Sequence, residues 1–313
     1  MQIDSTILLV GGSGMVGSSL VRALDWQGFK NVRATERRDT DLTNPQAVGR
    51  LFSEVRPEFV FFSAARVGGI LANTTYPAEF LEQNLRIQLN VMRAALDVNA
   101  KKLCFFGSSC MYPRLCPQPM REDYLMEGPF EPTNEGYALA KVCGLKLLQY
   151  YHIQYGFESL TVVPCNLYGT NDHFDFESAH VLSSLVRRFV DARDAGAPSV
   201  VVWGTGEARR EFMHVDDAAI LAVELMRKDY TPQLINLGPG SDVSIRELAQ
   251  MVSQTVRFTG EIVFDSTKPD GMPRKCMDVS LMRKLGLEPS ISLEEGICRT
   301  VEEYSKLKEQ NRL

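Results

Sequence analysis

Little in this chain pairs up as a metal site or a disulfide framework would. Its seven cysteines, at 104, 110, 116, 143, 165, 276 and 298, are odd in number and show no CxxC or CxxH spacing. That excludes a stapled secreted scaffold and a structural zinc site, and predicts reduced thiols and no metal. No apolar run approaches the roughly 18–20 residues that span a bilayer, and "MQIDSTILLVGGSG" has neither a basic leader nor a cleavage site. Positive charge is not in excess: 34 Lys and Arg stand against 39 Asp and Glu, a net charge of −5. Nucleic acid and anionic membrane are therefore excluded as partners, and the expected location is the cytoplasm. The arginines cluster locally in "ERRD", "LVRRF" and "EARREF", which suits an anionic small ligand.

The first half alternates unbroken apolar stretches with helical ones. "STILLVGG", "NVRATE", "FVFFSAA", "KKLCFFGSS" and "ESLTVVPCNLYG" read as strands, separated by segments of helical period. This is the βαβ rhythm of a doubly wound parallel sheet, buried on both faces. The expected fold is α/β, a Rossmann sheet with a smaller, interleaved C-terminal substrate-binding lobe. Residues 1–168 form the dinucleotide-binding domain, with a return segment near 212–238. Residues 169–211 and 239–313 form the lobe. "SIRELAQMVSQTV" reads as the last amphipathic helix, followed by a short C-terminal region.

Gly11, Gly14 and Gly17 lie between the first strand and the first helix. Glycines there permit a tight turn and close approach of a pyrophosphate to a helix N-terminus. Glu36 ends the second strand, where an acidic side chain would bind the ribose hydroxyls of NAD. Arg37 and Arg38 follow it and suit the 2′-phosphate of NADP. Two adjacent arginines favour NADP. "YALAK" places Tyr137 and Lys141 four apart on one helical face. A lysine there favours the phenolate and can hold a nicotinamide ribose, which makes the tyrosine a proton donor near neutrality. "GSSCMYP" sets Cys110 two residues after Ser108 at a strand end; free cysteine is otherwise an ordinary small hydrophobe.

"GGSGMVG", "AARVGGILANTTYPAEF", "GSSCMYP", "EPTNEGYALAKVCGLKL", "NLYG", "SAHVLSSLVRRF", "VVVWGTGEARREFMHVDD" and "STKPDGMPRK" run over nearly the whole chain. They resemble the extended short-chain dehydrogenase/reductase family, in its branch of GDP-sugar epimerase/reductases. The resemblance implies that Ser108 binds the substrate carbonyl, Tyr137 donates the proton, and Lys141 tunes it and holds cofactor. Cys110 matches the epimerisation base and His180 its partner acid. Gly11, Gly12, Ser13, Gly14, Met15, Val16, Gly17, Arg37, Pro164, Asn166, Leu167 and His180 fall on cofactor positions. Arg188, Trp203, Arg210, Asp270 and Lys275 fall around the nucleotide-sugar. Arg187 and Arg188 cannot face the same way on a helix, and the match selects Arg188. Two departures stand out. "TNDHF" replaces the more familiar "PHDNF" after "NLYG", and Ser13 stands where some relatives carry a basic residue.

The implied reaction is C3/C5 epimerisation and NADPH-dependent C4 keto reduction of GDP-4-keto-6-deoxy-D-mannose. Alternatives are the same chemistry on another GDP-4-keto sugar (a 3,6-dideoxyhexose or a heptose), an NAD-dependent 4-epimerase, and a redox-sensing module without turnover. A 4,6-dehydratase would need an acidic pair where Ser109 and Cys110 stand. Extra apolar positions in "YALAKVCGLKLLQYY" imply a helical homodimer interface.

Overall fold

A computed structural model describes residues 1–36, 38–175, 179–268 and 270–310. The first half runs β1 (Ile7–Val10), α1 (Met15–Trp26), β2 (Val32–Thr35), α2 (Pro45–Val55), β3 (Phe59–Phe62), α3 (Ile70–Thr75), α4 (Pro77–Asp97), β4 (Lys102–Phe106), α5 (Glu135–Tyr155) and β5 (Ser159–Pro164). It continues through β6 (Asn166–Tyr168), α6 (Val181–Asp194), β7 (Ser199–Trp203), β8 (Arg209–Arg210), β9 (Phe212–His214), α7 (Val215–Arg227) and β10 (Leu234–Leu237). The last elements are β11 (Val243–Ser244), α8 (Ile245–Val256), β12 (Glu261–Asp265), β13 (Arg274–Lys275), α9 (Ser280–Lys284) and α10 (Leu293–Glu309).

The main sheet is parallel, in the order β10-β5-β4-β3-β1-β2. Its central strands β1, β3 and β4 read as apolar runs because alternate residues serve two cores. Ile7 and Leu9, Phe59 and Phe61, and Cys104 and Phe106 pack on one face with α1 and α7. Leu8 and Val10, Val60 and Phe62, and Leu103 and Phe105 pack on the other with α2 and α4. A third core, including Tyr168, Phe189, Val252, Ile297 and Tyr304, lies among α6, α8 and α10. The strand order reverses at β1, so a crevice opens at the carboxyl ends of β1 and β3, where ligands of such sheets bind. The Rossmann fold is therefore as expected.

Three elements differ from the sequence reading. "ESLTVVPCNLYG" is not one strand: it breaks at Cys165, and β6 leaves the main sheet to pair with β9. Both Asn166 N and Asn166 Nδ2 donate to the Glu211 carbonyl, at 3.2 and 2.8 Å, and draw the chain across. Strand β12 pairs with β7 and was not foreseen. The C-terminal region, expected to be short and to follow the last helix, ends instead in a further helix, α10, 17 residues long, whose first turn is capped by Ser292 accepting from Glu295 N at 3.2 Å.

The return strand is locked by a buried amide. Asn236 Nδ2 donates to the Met120 and Asp278 carbonyls at 2.9 and 3.0 Å, while its Oδ1 accepts from the Tyr112 hydroxyl at 2.7 Å. It thus joins β10 to the two segments leading out of the strand ends. Replacing it by alanine leaves the buried Tyr112 hydroxyl without its acceptor and the Asp278 carbonyl without its donor, while the Met120 carbonyl keeps only Asp278 N, at 2.8 Å. Asn236→Ala is expected to destabilise the protein by about 2–4 kcal/mol in urea unfolding.

Candidate active site

The glycine turn is packed too tightly for side chains. A Cβ on Gly17 would lie 1.8 Å from the Gly11 carbonyl oxygen, and one on Gly11, whose φ is +101°, would meet the Ala64 backbone nitrogen at 2.7 Å. Gly14 differs: a Cβ there would find nothing nearer than 4.0 Å. Gly14 is also the N-cap of α1 and supplies no side-chain cap. The space beside Gly14 is thus open at the positive end of α1, where no side chain caps the helix, a cradle that fits a dinucleotide pyrophosphate. Met15 and Val16 begin the helix and pack partly against the core. At the rim, Asn171 Nδ2 donates to the Ser13 carbonyl at 2.9 Å, and Asn171 N donates to Glu303 at 2.8 Å.

At the end of β2, Arg38 pairs with Glu36 at 2.9 Å, both exposed. Glu36 is thus neutralised by its neighbour rather than turned away from it, which leaves a less acidic end to this strand. Arg37 lies outside the described residues. Pro164 ends β5 opposite Leu237, Leu167 is core, and Asn166 is committed to Glu211 as described.

The end of β4 gathers the predicted catalytic groups. Ser108 is extended, and its Oγ accepts from Cys110 N at 3.2 Å, leaving the hydroxyl proton free to donate. Cys110 sits in the single helical turn Ser109–Met111 that follows. Lys141 is buried and donates to the Phe106 carbonyl at 2.7 Å. Its ammonium lies over the Phe105 and Tyr137 rings, 4.7 and 5.7 Å from their centroids. Burial pulls this lysine down to about 7, opposed by the charge of Cys110. Burial likewise pushes the Tyr137 phenol up, joined by Cys110 and opposed by a hydrogen bond with Ser108. Desolvation thus acts on the Tyr137 phenol in the opposite direction to the one a neighbouring lysine would give, and holds its proton in place.

Two further side chains reach this cluster. Asn134 Nδ2 donates to Cys110 Sγ at 3.1 Å, and Lys275 Nζ lies 3.9 Å from the same sulfur. Lys275 is paired in register with Arg210. The Arg210 guanidinium donates to the Arg209 and Met272 carbonyls at 2.8 and 2.6 Å, and to the Asp270 carbonyl at 3.4 Å. Asp270 accepts from Thr205 N at 2.7 Å and Thr205 Oγ1 at 2.8 Å. Beyond it stands Trp203, 60% exposed at the end of β7, flanked by Arg188 at 5.6 Å and Lys268 at 5.5 Å from its ring centroid. Arg188 also donates to the Val201 carbonyl at 2.9 Å, whereas Arg187 donates to Phe174 O at 2.6 Å. The two arginines do face different ways.

A line of side chains, mostly cationic but including the Asp270 carboxylate, therefore runs from Cys110 through Lys275, Arg210 and Asp270 to Trp203 and Arg188. His180 stands apart. It is exposed at the N-cap of α6, near the buried Asp172 carboxylate, whose affinity for protons is raised by burial and lowered by Ser183 and His180. Among the described residues no hydrogen bond joins His180 to Cys110. Asn134, Asn171 and Lys268 were missed by sequence reasoning. All three lay within segments quoted above, Asn134 in "EPTNEGYALAKVCGLKL", Asn171 in "TNDHF" and Lys268 in "STKPDGMPRK", without an assignment.

A glycine cradle at a sheet switch point, with a serine, tyrosine and lysine converging two strands away, defines a short-chain type of nucleotide-dependent oxidoreductase. The chain belongs to the NAD dependent epimerase/dehydratase family, whose model matches residues 7–238. It is 47% identical over 303 residues to GDP-L-fucose synthase 1 of Arabidopsis thaliana, covering 97% of this chain and 94% of that protein. It is 44% identical over 303 residues to the GDP-L-fucose synthase of Escherichia coli (strain K12), covering 94% of each. Among solved structures it is similar to the GDP-mannoheptose C4 reductase of Campylobacter jejuni with NADP bound. There the TM-score is 0.89 and the identity 37%, over 97% of this chain and 99% of that one.

Two outcomes are expected. Gly17→Ala is to lower NADPH affinity at least tenfold in a fluorescence titration, because its Cβ would displace the turn that forms the cradle. Folding expels a proton from Lys141 between about pH 7 and its unfolded value of ~10.4. Its contribution to stability is least below pH 7 and climbs through that window. In urea unfolding at pH 6.5 and 9, Lys141→Met is to be more stable than wild type by more than about 1 kcal/mol at the lower pH, and to lose that part of the climb.

Proposed function

We propose that the protein converts GDP-4-keto-6-deoxy-D-mannose to GDP-L-fucose, inverting C3 and C5 and reducing the C4 ketone with NADPH. The observation that carries this reading is the meeting of two chemistries at one strand end. The carbonyl-holding pair Ser108 and Tyr137 lies beside a cysteine whose sulfur faces nitrogen donors instead of an apolar core. The GDP-L-fucose synthases of Arabidopsis and Escherichia coli align with nearly the whole chain.

Inverting a carbon next to a ketone requires loss of its C–H proton to one face and return of a proton to the other. Cys110 takes the first proton, and His180 supplies the second from the N-terminus of α6. The electron pair moves to the C4 oxygen, where Ser108 and Tyr137 donate hydrogen bonds to the enolate. NADPH supplies the hydride for C4. Tyr137, kept protonated by burial, gives its proton to the same oxygen, and Lys141 holds the nicotinamide ribose while restoring the phenol. The glycine cradle takes the pyrophosphate, and Arg38, with Arg37, the 2′-phosphate. Arg188 and Trp203 take the guanosine end of the sugar nucleotide, Arg210, Asp270 and Lys275 the part nearer the sugar.

Residues 1–168 with the return segment 212–238 serve the cofactor in this scheme, and 169–211 with 239–313 the nucleotide-sugar. On α4 and α5, Leu89, Tyr150 and Ile153 are 51%, 60% and 77% exposed, an apolar face suited to a second copy and hence to a homodimer. Among the described residues no helix is long and apolar enough to cross a membrane. Seven unpaired cysteines fit a reducing cytoplasm. A second reading keeps the chemistry but changes the sugar, favoured by the similarity to the GDP-mannoheptose reductase.

NADPH oxidation followed at 340 nm, with products identified by NMR in D2O, tests both readings. Wild type is to yield GDP-L-fucose deuterated at C3 and C5. Cys110→Ser is to consume NADPH without inversion, and Tyr137→Phe is to slow reduction by about 10²–10⁴-fold. No turnover of this sugar, with turnover of a GDP-4-keto heptose, would decide for the second reading.

A further inference from the structure

Asn134 ends the short turn Pro132–Asn134, three residues before Tyr137. Its carboxamide makes an unusual choice of partner: Nδ2 donates to Cys110 Sγ at 3.1 Å, and Oδ1 is buried with no hydrogen-bond partner. From another quarter, 165 residues along the chain, the Lys275 ammonium approaches the same sulfur at 3.9 Å. A thiol sulfur is a weak acceptor, so an amide directed at it gains little, while a buried carbonyl left unpaired costs about 1–3 kcal/mol. Packing alone gives no reason to keep that arrangement. A thiolate does give one, because hydrogen-bond donors and a nearby ammonium both favour the charged form of the group they face. The backbone restricts the sulfur as well, since Cys110 N is committed to Ser108 Oγ.

We propose that Asn134 is the positioning residue of the inverting base: it fixes the Cys110 sulfur in one direction and, with Lys275, favours its anionic form. The inference rests on the reading of Cys110 as that base. In the step it serves, the thiolate takes a proton from the carbon beside the ketone. An S–H bond forms, the C–H bond breaks, and its electron pair passes to the C4 oxygen held by Ser108 and Tyr137. Asn134 changes neither charge nor bonding; it acts through the sulfur, and hydride transfer does not need it.

The test separates inversion from reduction. With NADP⁺ in place of NADPH, deuterium entering C3 and C5 of GDP-4-keto-6-deoxy-D-mannose from D2O reports proton removal alone. Asn134→Ala is to lower this exchange about 10–100-fold, against the 10²–10⁴-fold that general-base catalysis supplies. NADPH affinity and NADPH consumption are to stay within about threefold. Asn134→Asp keeps the shape, removes the donor and adds a like charge, and is to lose at least as much. Without any sugar, carbamidomethylation of Cys110, read by peptide mass spectrometry across pH 6–9, is to shift to higher pH in both variants. Exchange within twofold of wild type and an unmoved alkylation profile would overturn the proposal while Cys110→Ser still abolishes exchange. If Cys110→Ser itself retains exchange, the base assignment falls first and the proposal with it.

Discussion

One buried carboxylate holds the two halves of the site in register. Glu211 is wholly enclosed, and its partners are backbone amides: Gly240 N donates to Oε1 at 2.6 Å and Met277 N to Oε2 at 2.7 Å. Its own carbonyl takes both nitrogens of Asn166, and its N–H donates to the Lys275 carbonyl at 3.3 Å. One residue therefore ties β6, the exit of β10 and strand β13 to β8 and β9. Burial raises its carboxyl to about 7, against the pull of the two amides. Arg210 is its immediate neighbour and Lys275 lies two residues before Met277, so the cations proposed to meet the nucleotide-sugar inherit their places from this clasp.

Burial also sets the charges in the groove. Lys141 and Tyr137 are both driven toward their neutral forms, and Arg188 and Arg210 are each drawn down by desolvation. Removing cations from water is unfavourable unless an anion arrives. A diphosphate entering this groove meets guanidinium groups already ordered by carbonyls at Val201, Arg209 and Met272, and little side-chain freedom is left to lose on binding. The same logic applies to Tyr137: burial, joined by the charge of Cys110, holds its phenolic proton, and the Ser108 hydrogen bond opposes them.

The centre of the sheet was legible because β1, β3 and β4 each satisfy two cores at once and so appear as apolar runs. The glycine turn, "YALAK" and "GSSCMYP" were legible because each is compact in sequence and its chemistry depends on local spacing. What was hidden depends on long-range pairing. Nothing local to "PTN" shows that Asn134 turns back to Cys110, and nothing near "PRK" shows that Lys275 crosses to it. The break after Pro164 is equally silent, since the acceptor that draws Asn166 away lies 45 residues on, at Glu211. The missed α10 is a different case. "SLEE" carries a serine cap followed by acidic first-turn residues, a start signal that was present but outweighed by the polar texture of the helix itself.

The place of β10 has a consequence for how the chain is made. Thr161 to Pro164 pair with Leu234 to Leu237, so the last strand of the sheet arrives 73 residues after the edge it covers. At a synthesis rate of ~5–20 residues per second, the β5 edge emerges roughly 4–15 s before its partner exists. During that interval an apolar strand with open hydrogen-bonding groups stands unprotected on the nascent chain. The late return of β10 to the sheet thus makes the growing polypeptide depend on what shields that edge until the ribosome has delivered Leu237.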